Sequence, residues 1–290
     1  MGTSVFKSEA AKARMADWYE RFLAKINVPT ESIFVQTSFG KSHVLAVGDS
    51  SKPPMVCFHS MMTSSAHLLS ELQVLSRDFY LLGADIPGQS VQGIAEHLSY
   101  TDDTHSKWVG EVLDGLNLDA AHILGVSLGG FVARQFASNN PSRVKSLTLI
   151  VPGGIIQGSL IKGFSKMAWP MIKYRMRPTE KNLRPLVNNL ITTWDDDWAH
   201  YIGNSFTDFN PYLKIPSLAK DYELTKLSMP VLIIGAEHDI SFPGQAIIDR
   251  MKKLVPHVET ELLIGAKHSP PTTPEFRKWL ANRVTQFVKS

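Results

Sequence analysis

The five residues Gly125-Val126-Ser127-Leu128-Gly129 constrain this chain more than any others. They follow the apolar run Ala120-Ala121-His122-Ile123-Leu124 and precede Phe131–Ala137, where small and apolar residues recur at helical spacing. A serine with glycine two residues to either side, between a strand and a helix, marks a sharp turn that lifts the hydroxyl clear of a sheet. The flanking positions must be small, because larger side chains would clash with the adjoining strand and helix. The same turn leaves the amide of Leu128 free at a helix N-terminus, where it can face a developing negative charge. The pattern arises by chance in roughly one chain in ten of this length, so its surroundings must decide what it means.

The surroundings alternate. Lys7–Lys25 reads as an amphipathic helix with Met15, Trp18, Tyr19, Phe22 and Leu23 on one side. Ser32–Ser38 and Ser42–Val47 flank Phe39-Gly40-Lys41 as a hairpin. Met55–Phe58 is a short apolar run of the kind expected in a parallel strand buried on both faces. A helix over Leu68–Leu75 and a strand over Phe79–Gly83 follow. Thr101, ahead of Asp102 and Asp103, then predicts the start of a helix carrying Trp108, Val109, Val112, Leu113 and Leu116. Val144–Val151 is the next strand. The alternation resumes with a strand at Pro230–Gly235, a helix at Gln245–Leu254 and a strand at Val258–Ile264. A last helix opens at Thr273-Pro274.

Between Ile155 and Leu227 there are helical patches but no strand run, and the stretch is too apolar to be disordered. The expected fold is α/β, a mostly parallel sheet with helices on both faces and a helical cap insertion. Residues 1–154 form the first part of the core, including the N-terminal helix over 7–25. Residues 155–227 form the cap, and 228–290 complete the core. A formal charge of +3 is too small to point to a nucleic-acid partner. No stretch approaches the ~20 apolar residues of a membrane span. Met1–Ala16 is polar and offers no apolar signal core, and the single cysteine, Cys57, reads as a small buried hydrophobe. Both fit cytoplasmic residence.

A serine hydroxyl needs a base. Among ten histidines, His268 follows the last strand, on the loop before the final helix. That loop lies at the carboxyl ends of the strands, the edge where Ser127 also emerges. A base needs a carboxylate to hold its tautomer. Asp239 follows the strand at Val231–Ile234 and reaches the same edge. Glu237 is its nearest rival, and His238 is a flanking residue.

The order Ser127, Asp239, His268 is that of the α/β-hydrolase superfamily, which the chain resembles from about Ser32 to its end. Asp85-Ile86-Pro87-Gly88-Gln89-Ser90 is similar to the family's Asp-x-x-Gly-x-Gly/Ser loop, and Gly235–Pro243 to its acid loop. His59-Ser60-Met61-Met62 stands where the family has His-Gly and an oxyanion residue. The resemblance therefore implies that the amide of Met61 is the second oxyanion donor beside Leu128. Ser60 departs from the family's glycine, which puts the oxyanion geometry in question. More closely, the chain resembles cytoplasmic bacterial carboxylesterases with an N-terminal helix ahead of the hairpin.

The resemblance implies hydrolysis of small to medium carboxylic esters through an acyl-enzyme on Ser127, with no cofactor and no metal. A serine at the elbow argues against the haloalkane dehalogenases and epoxide hydrolases of this fold, which use aspartate. A C–C bond hydrolase, a perhydrolase and a slow-turnover ligand receptor share the triad and stay open. Trp169, Trp194 and Trp198 in the insertion are expected, with Ser60 and Met62 beneath, to wall the substrate pocket, though for any single aromatic the cap's own core is the favoured place. Lys162, Lys166, Lys173, Arg175, Arg177, Lys181 and Arg184 read as a solvated basic face. Asp195-Asp196-Asp197 reads as a helix start rather than a metal site. The N-terminal helix is free to pack on its own domain or on a partner, so a homodimer is compatible with the sequence.

Overall fold

The computed structural model describes residues 4–210, 212 and 214–290, with the side chains of Leu160, Lys162 and Phe164 also outside the description. Its chain order begins α1 (Glu9–Leu23), β1 (Thr30–Thr37), β2 (Gly40–Val47), β3 (Pro54–Phe58), α2 (Ser65–Leu72) and β4 (Tyr80–Ala84). There follow α3 (Thr104–Gly115), β5 (Ala121–Val126), α4 (Leu128–Asn139) and β6 (Val144–Ile150). The eight strands form one sheet in the order β1-β2-β4-β3-β5-β6, then β7 (Val231–Ala236) and β8 (Val258–Leu263). β1 and β2 form an antiparallel hairpin joined antiparallel to β4. All other neighbours are parallel. The sheet is mostly parallel with helices on both faces, as the alternation predicts.

The apolar runs are explained by the two faces. Along β5, Ile123 enters the core beneath α3 and α4, while Leu124 enters the core beneath α1, α2 and α11 (Pro274–Lys289). Along β7, Val231 and Ile233 face the first core, and Leu232 and Ile234 the second. Side chains alternate across a strand, so a strand covered on both sides cannot afford polar positions. Each such side chain contributes roughly 1.5–3 kcal/mol by leaving water. Cys57 is fully buried in the second core, and burial pushes its thiol pKa up.

Helix ends follow local chemistry. Ser8 caps α1 by accepting from the Ala11 amide, and Thr273 caps α11 by accepting from the Phe276 amide, with Pro274 in the first turn. α3 begins at Thr104 rather than after Thr101. The Asp102 carboxylate accepts from the Thr104 amide and competes successfully with a cap at Thr101.

The insertion holds α5 (Leu160–Gly163), a π turn over Phe164–Ala168, α6 (Trp169–Met176), α7 (Glu180–Asn188) and α8 (Asp196–Asp208). α6, α7 and α8 share a small core of Tyr174, Leu183, Leu186, Val187 and Ala199, with Ile191 from the loop after α7. Not all of residues 155–227 stands apart from the sheet. Ile155, Ala219, Leu224 and Leu227 pack into the first main core, with Leu224 ending α9 (Asp221–Leu224). The Arg250 guanidinium, on α10 (Gly244–Leu254), donates to the carbonyls of Ile155 and Ala219 and holds both ends of the insertion down.

α1 packs on its own chain, against α2 and α8. Arg14 makes two hydrogen bonds to Asp208, at 2.9 and 2.7 Å, and the Trp18 indole donates to Asn204. Arg21 and Lys25 pair with Asp197.

Candidate active site

Ser127 sits between β5 and α4 with φ 54° and ψ −112°, a backbone that L side chains rarely adopt. The turn is held because nothing larger than glycine fits around it. A Cβ on Gly125 would lie 2.2 Å from the Gly129 carbonyl oxygen, and one on Gly129 would lie 2.0 Å from the Phe58 carbonyl oxygen. The Ser127 amide donates to Ile150, and its carbonyl accepts from Gly130 and Gly153. Val151, immediately after β6, also has positive φ, 43°, which is unusual for a β-branched residue. Its amide donates to the Ile234 carbonyl, and because the Ser127 amide bonds Ile150, the residue before it, two strained residues stand close together at one sheet edge.

His268 and Asp239 reach that edge from the loops after β8 and β7. Ser127 Oγ lies 3.0 Å from His268 Nε2, across 141 residues of sequence, and His268 Nδ1 lies 2.7 Å from Asp239 Oδ2. The other oxygen of Asp239 accepts from the amides of Ser241 and Phe242, at 2.8 and 2.9 Å. These bonds fix the carboxylate, the carboxylate fixes the ring, and Nε2 is left to face the serine. Burial alone would lower the His268 pKa, but the charge and hydrogen bond of Asp239 more than reverse it and hold the pKa above its usual value.

Glu237 does not reach the histidine. It accepts from the Gly265 amide and braces the loop, while the His238 amide ties to the Ala266 carbonyl. Phe242 sets its ring edge-on to His268, at 5.4 Å and 64°. Sequence reasoning missed this contact, although Phe242 is only three residues from Asp239.

Leu128 opens α4, with its amide at the helix N-terminus beside Ser127. Ser60, Met61 and Met62 occupy a turn closed by the Thr63 amide on the Ser60 carbonyl. His59 beneath is fully buried. Its Nε2 accepts from the Ile86 amide and its Nδ1 lies 2.8 Å from the Ser60 carbonyl oxygen, so it anchors the turn from below. Asp85 accepts from the amide and hydroxyl of Ser65 and pairs with His43, joining the loop after β4 to α2 and the hairpin.

The serine and histidine open into a cavity of about 410 Å³ between the sheet edge and the insertion. Ser60, Met61 and Met62 form its floor, and α8 contributes Trp198, Tyr201, Ile202 and Phe206. Its wall is largely apolar. Its charged part is an ion pair in which Arg277 donates twice to Glu71, at 2.7 and 3.0 Å, with the Trp198 indole donating to the same carboxylate.

Of the three tryptophans expected there, only Trp198 lines the cavity. Trp169 is 49% exposed with Lys173 over its ring, and Trp194 donates to Asp196 with Arg184 over its ring. Both rings are occupied by cation–π partners and do not turn inward. Within the basic stretch, Glu180 pairs with His200, and Lys162 lies outside the described side chains. Asp195 caps α8 through the Trp198 amide, which is the helix start expected of the acidic run. Among the described residues, no group of three or more His, Cys, Asp or Glu is arranged to hold a metal. No described helix is long and apolar enough to cross a membrane.

A family model for the alpha/beta hydrolase fold matches residues 53–168. The chain is 27% identical over 263 residues to the uncharacterized carboxylesterase nap of Bacillus subtilis (strain 168), covering 86% of this chain and 84% of that one. It is 25% identical to carboxylesterase YbfK of the same organism, covering 98% and 96%. The crystal structure of naproxen esterase (carboxylesterase NP) from Bacillus subtilis superposes with a TM-score of 0.80 at 23% identity, covering 95% of this chain and 97% of that one.

Proposed function

We propose that this chain, an α/β hydrolase, is a carboxylesterase that acts through an acyl-enzyme on Ser127. The observation that carries this reading is the unbroken hydrogen-bonded path from Ser127 through His268 to Asp239, opening into a mostly apolar cavity of about 410 Å³. The resemblance of the whole chain to named carboxylesterases supports it.

His268 takes the Ser127 proton as the oxygen attacks the ester carbonyl. The carbonyl oxygen becomes an anion facing the amides of Leu128 and Met61. Each such donor is worth on the order of 10²–10³ in rate, because it is in place before charge develops. The imidazolium, steadied by Asp239, protonates the departing alkoxide, and an alcohol leaves. Water then attacks the acyl-enzyme with His268 again as base, releasing the acid and restoring Ser127. None of these steps requires a metal or an organic cofactor. The cavity suits small to medium esters. One unpaired, buried cysteine is consistent with a reducing cytoplasm.

Ser127→Ala tests the reading. Turnover of p-nitrophenyl butyrate should fall by on the order of 10⁴-fold or more, with the unfolding temperature unchanged. A folded variant that hydrolyses the ester at the wild-type rate rules out Ser127 as nucleophile.

A further inference from the structure

Met62 is strained and held. Its φ is 52°, in the left-handed region, at the third position of the turn Ser60–Thr63. A turn of this kind favours glycine or asparagine there, and methionine has neither glycine's freedom nor asparagine's local hydrogen bonds. Relaxation to negative φ would rotate the peptide between Met61 and Met62 and move the amide of Met61 with it.

Two side chains from distant elements oppose that rotation. The Met62 amide donates to Gln89 Oε1 at 2.9 Å. Gln89 is itself oriented, since its Nε2 donates to Tyr100 Oη at 3.1 Å and lies 3.2 Å from His97 Nδ1. On the other side of the residue, the Tyr201 hydroxyl donates to the Met62 carbonyl. Tyr201 is 3% exposed and belongs to α8 of the insertion, where its ring lies against His67 at 3.9 Å. The Met62 peptide groups are thus gripped from the core by Gln89 and from the cap by Tyr201.

We propose that Tyr201 and Gln89 are positioning residues for the oxyanion site, fixing the Met61 amide by clamping Met62 in its left-handed conformation, so that the seated cap completes the catalytic machinery. The inference rests on the esterase reading and on Met61 as an oxyanion donor. It gives the insertion a role in the chemical step besides shaping the cavity.

The test is Tyr201→Phe, which keeps the ring and removes the hydroxyl. A misplaced donor weakens transition-state binding more than substrate binding. For p-nitrophenyl butyrate, kcat should fall by roughly 10- to 100-fold with KM within about twofold. Affinity for a trifluoromethyl ketone, which forms a tetrahedral oxyanion on the serine, should fall by a similar factor. Gln89→Leu should act in the same direction, and the two losses together should be less than multiplicative, because both act through Met62. Adding Met62→Gly to Tyr201→Phe should recover part of kcat, since glycine adopts positive φ without strain.

Unchanged kcat in Tyr201→Phe, or a rise in KM alone, overturns the clamp. If Tyr201→Phe does not fold, Gln89→Leu is read by the same criteria. Ser127→Ala in the same assay separates the two ideas. Loss of turnover there with wild-type kcat in Tyr201→Phe defeats only the clamp, whereas wild-type turnover in Ser127→Ala defeats the esterase reading itself.

Discussion

The carboxyl edge of the sheet and the inserted helices above it are built on different physical terms. At the edge, the contacts that shape the turns and hold the acid are backbone-scale. Gly125 and Gly129 leave no room for a Cβ, Ser127 and Val151 hold positive φ, and Asp239 is fixed by two amides. In the insertion, the contacts are between long side chains. Lys173 lies over Trp169, Arg184 over Trp194, and His200 pairs with Glu180. Backbone-scale constraints admit few residues and therefore leave a readable trace. Side-chain contacts admit many solutions, so the insertion can vary what enters while the edge keeps the chemistry.

The largest test of that contrast is Gly129→Ala. One added methyl group meets the Phe58 carbonyl oxygen at 2.0 Å, and that oxygen belongs to the central sheet. The loss should exceed about 3 kcal/mol, read from urea unfolding, because backbone rather than a flexible side chain must move. A loss below about 1 kcal/mol shows that the edge is more plastic than its geometry states.

Asp239→Asn comes next, with an expected fall in kcat of roughly 10²–10⁴-fold at neutral pH. It also changes the pH profile. His268 must be neutral to accept a proton, and its pKa is held above the usual ~6.5, so kcat/KM should fall on acidification with a midpoint above that value. Without the carboxylate, burial dominates and the midpoint should move to lower pH. The same pair affects stability with the opposite sense. Its contribution is full below the unfolded-state value near 6.5 and fades as pH rises through the higher folded-state value. An unchanged midpoint in Asp239→Asn contradicts the assignment of the acid.

The smallest effects belong to the insertion. Trp198→Ala enlarges the cavity and should shift the preferred acyl length on a graded ester panel by a few-fold in kcat/KM. Trp194→Ala, whose ring lies outside the cavity, should leave the profile within about twofold. If Trp194→Ala moves the profile as far as Trp198→Ala does, the cavity extends further into the insertion than its described wall.

The same contrast explains what was legible in the sequence. The strands were readable because two-sided burial forces apolar runs such as Met55–Phe58 and Val231–Ile234. Ser127 was readable because its turn demands glycines, and His268 and Asp239 because topology brings loops after parallel strands to one edge. Trp169 and Trp194 misled because an aromatic ring covered by Lys or Arg looks, in sequence, the same as one lining a pocket. The start of α3 slipped from Thr101 to Thr104 because adjacent polar residues compete for one cap. The contacts of Tyr201 and Gln89 with Met62 have no local pattern, since one reaches a main-chain carbonyl 139 residues away and the other accepts from a main-chain amide 27 residues away. Their signal was the positive φ of Met62, which exists only in three dimensions.

The central step is a covalent bond forming between the Ser127 oxygen and the acyl carbon. Rapid-quench mass spectrometry during turnover of a slowly deacylated p-nitrophenyl ester reads that bond directly. The expected result is an intact-protein mass increased by one acyl group, mapped to the peptide bearing Ser127 and missing in Ser127→Ala. Ester cleavage with no adduct under those conditions, or an adduct on another residue, contradicts an acyl-enzyme on Ser127.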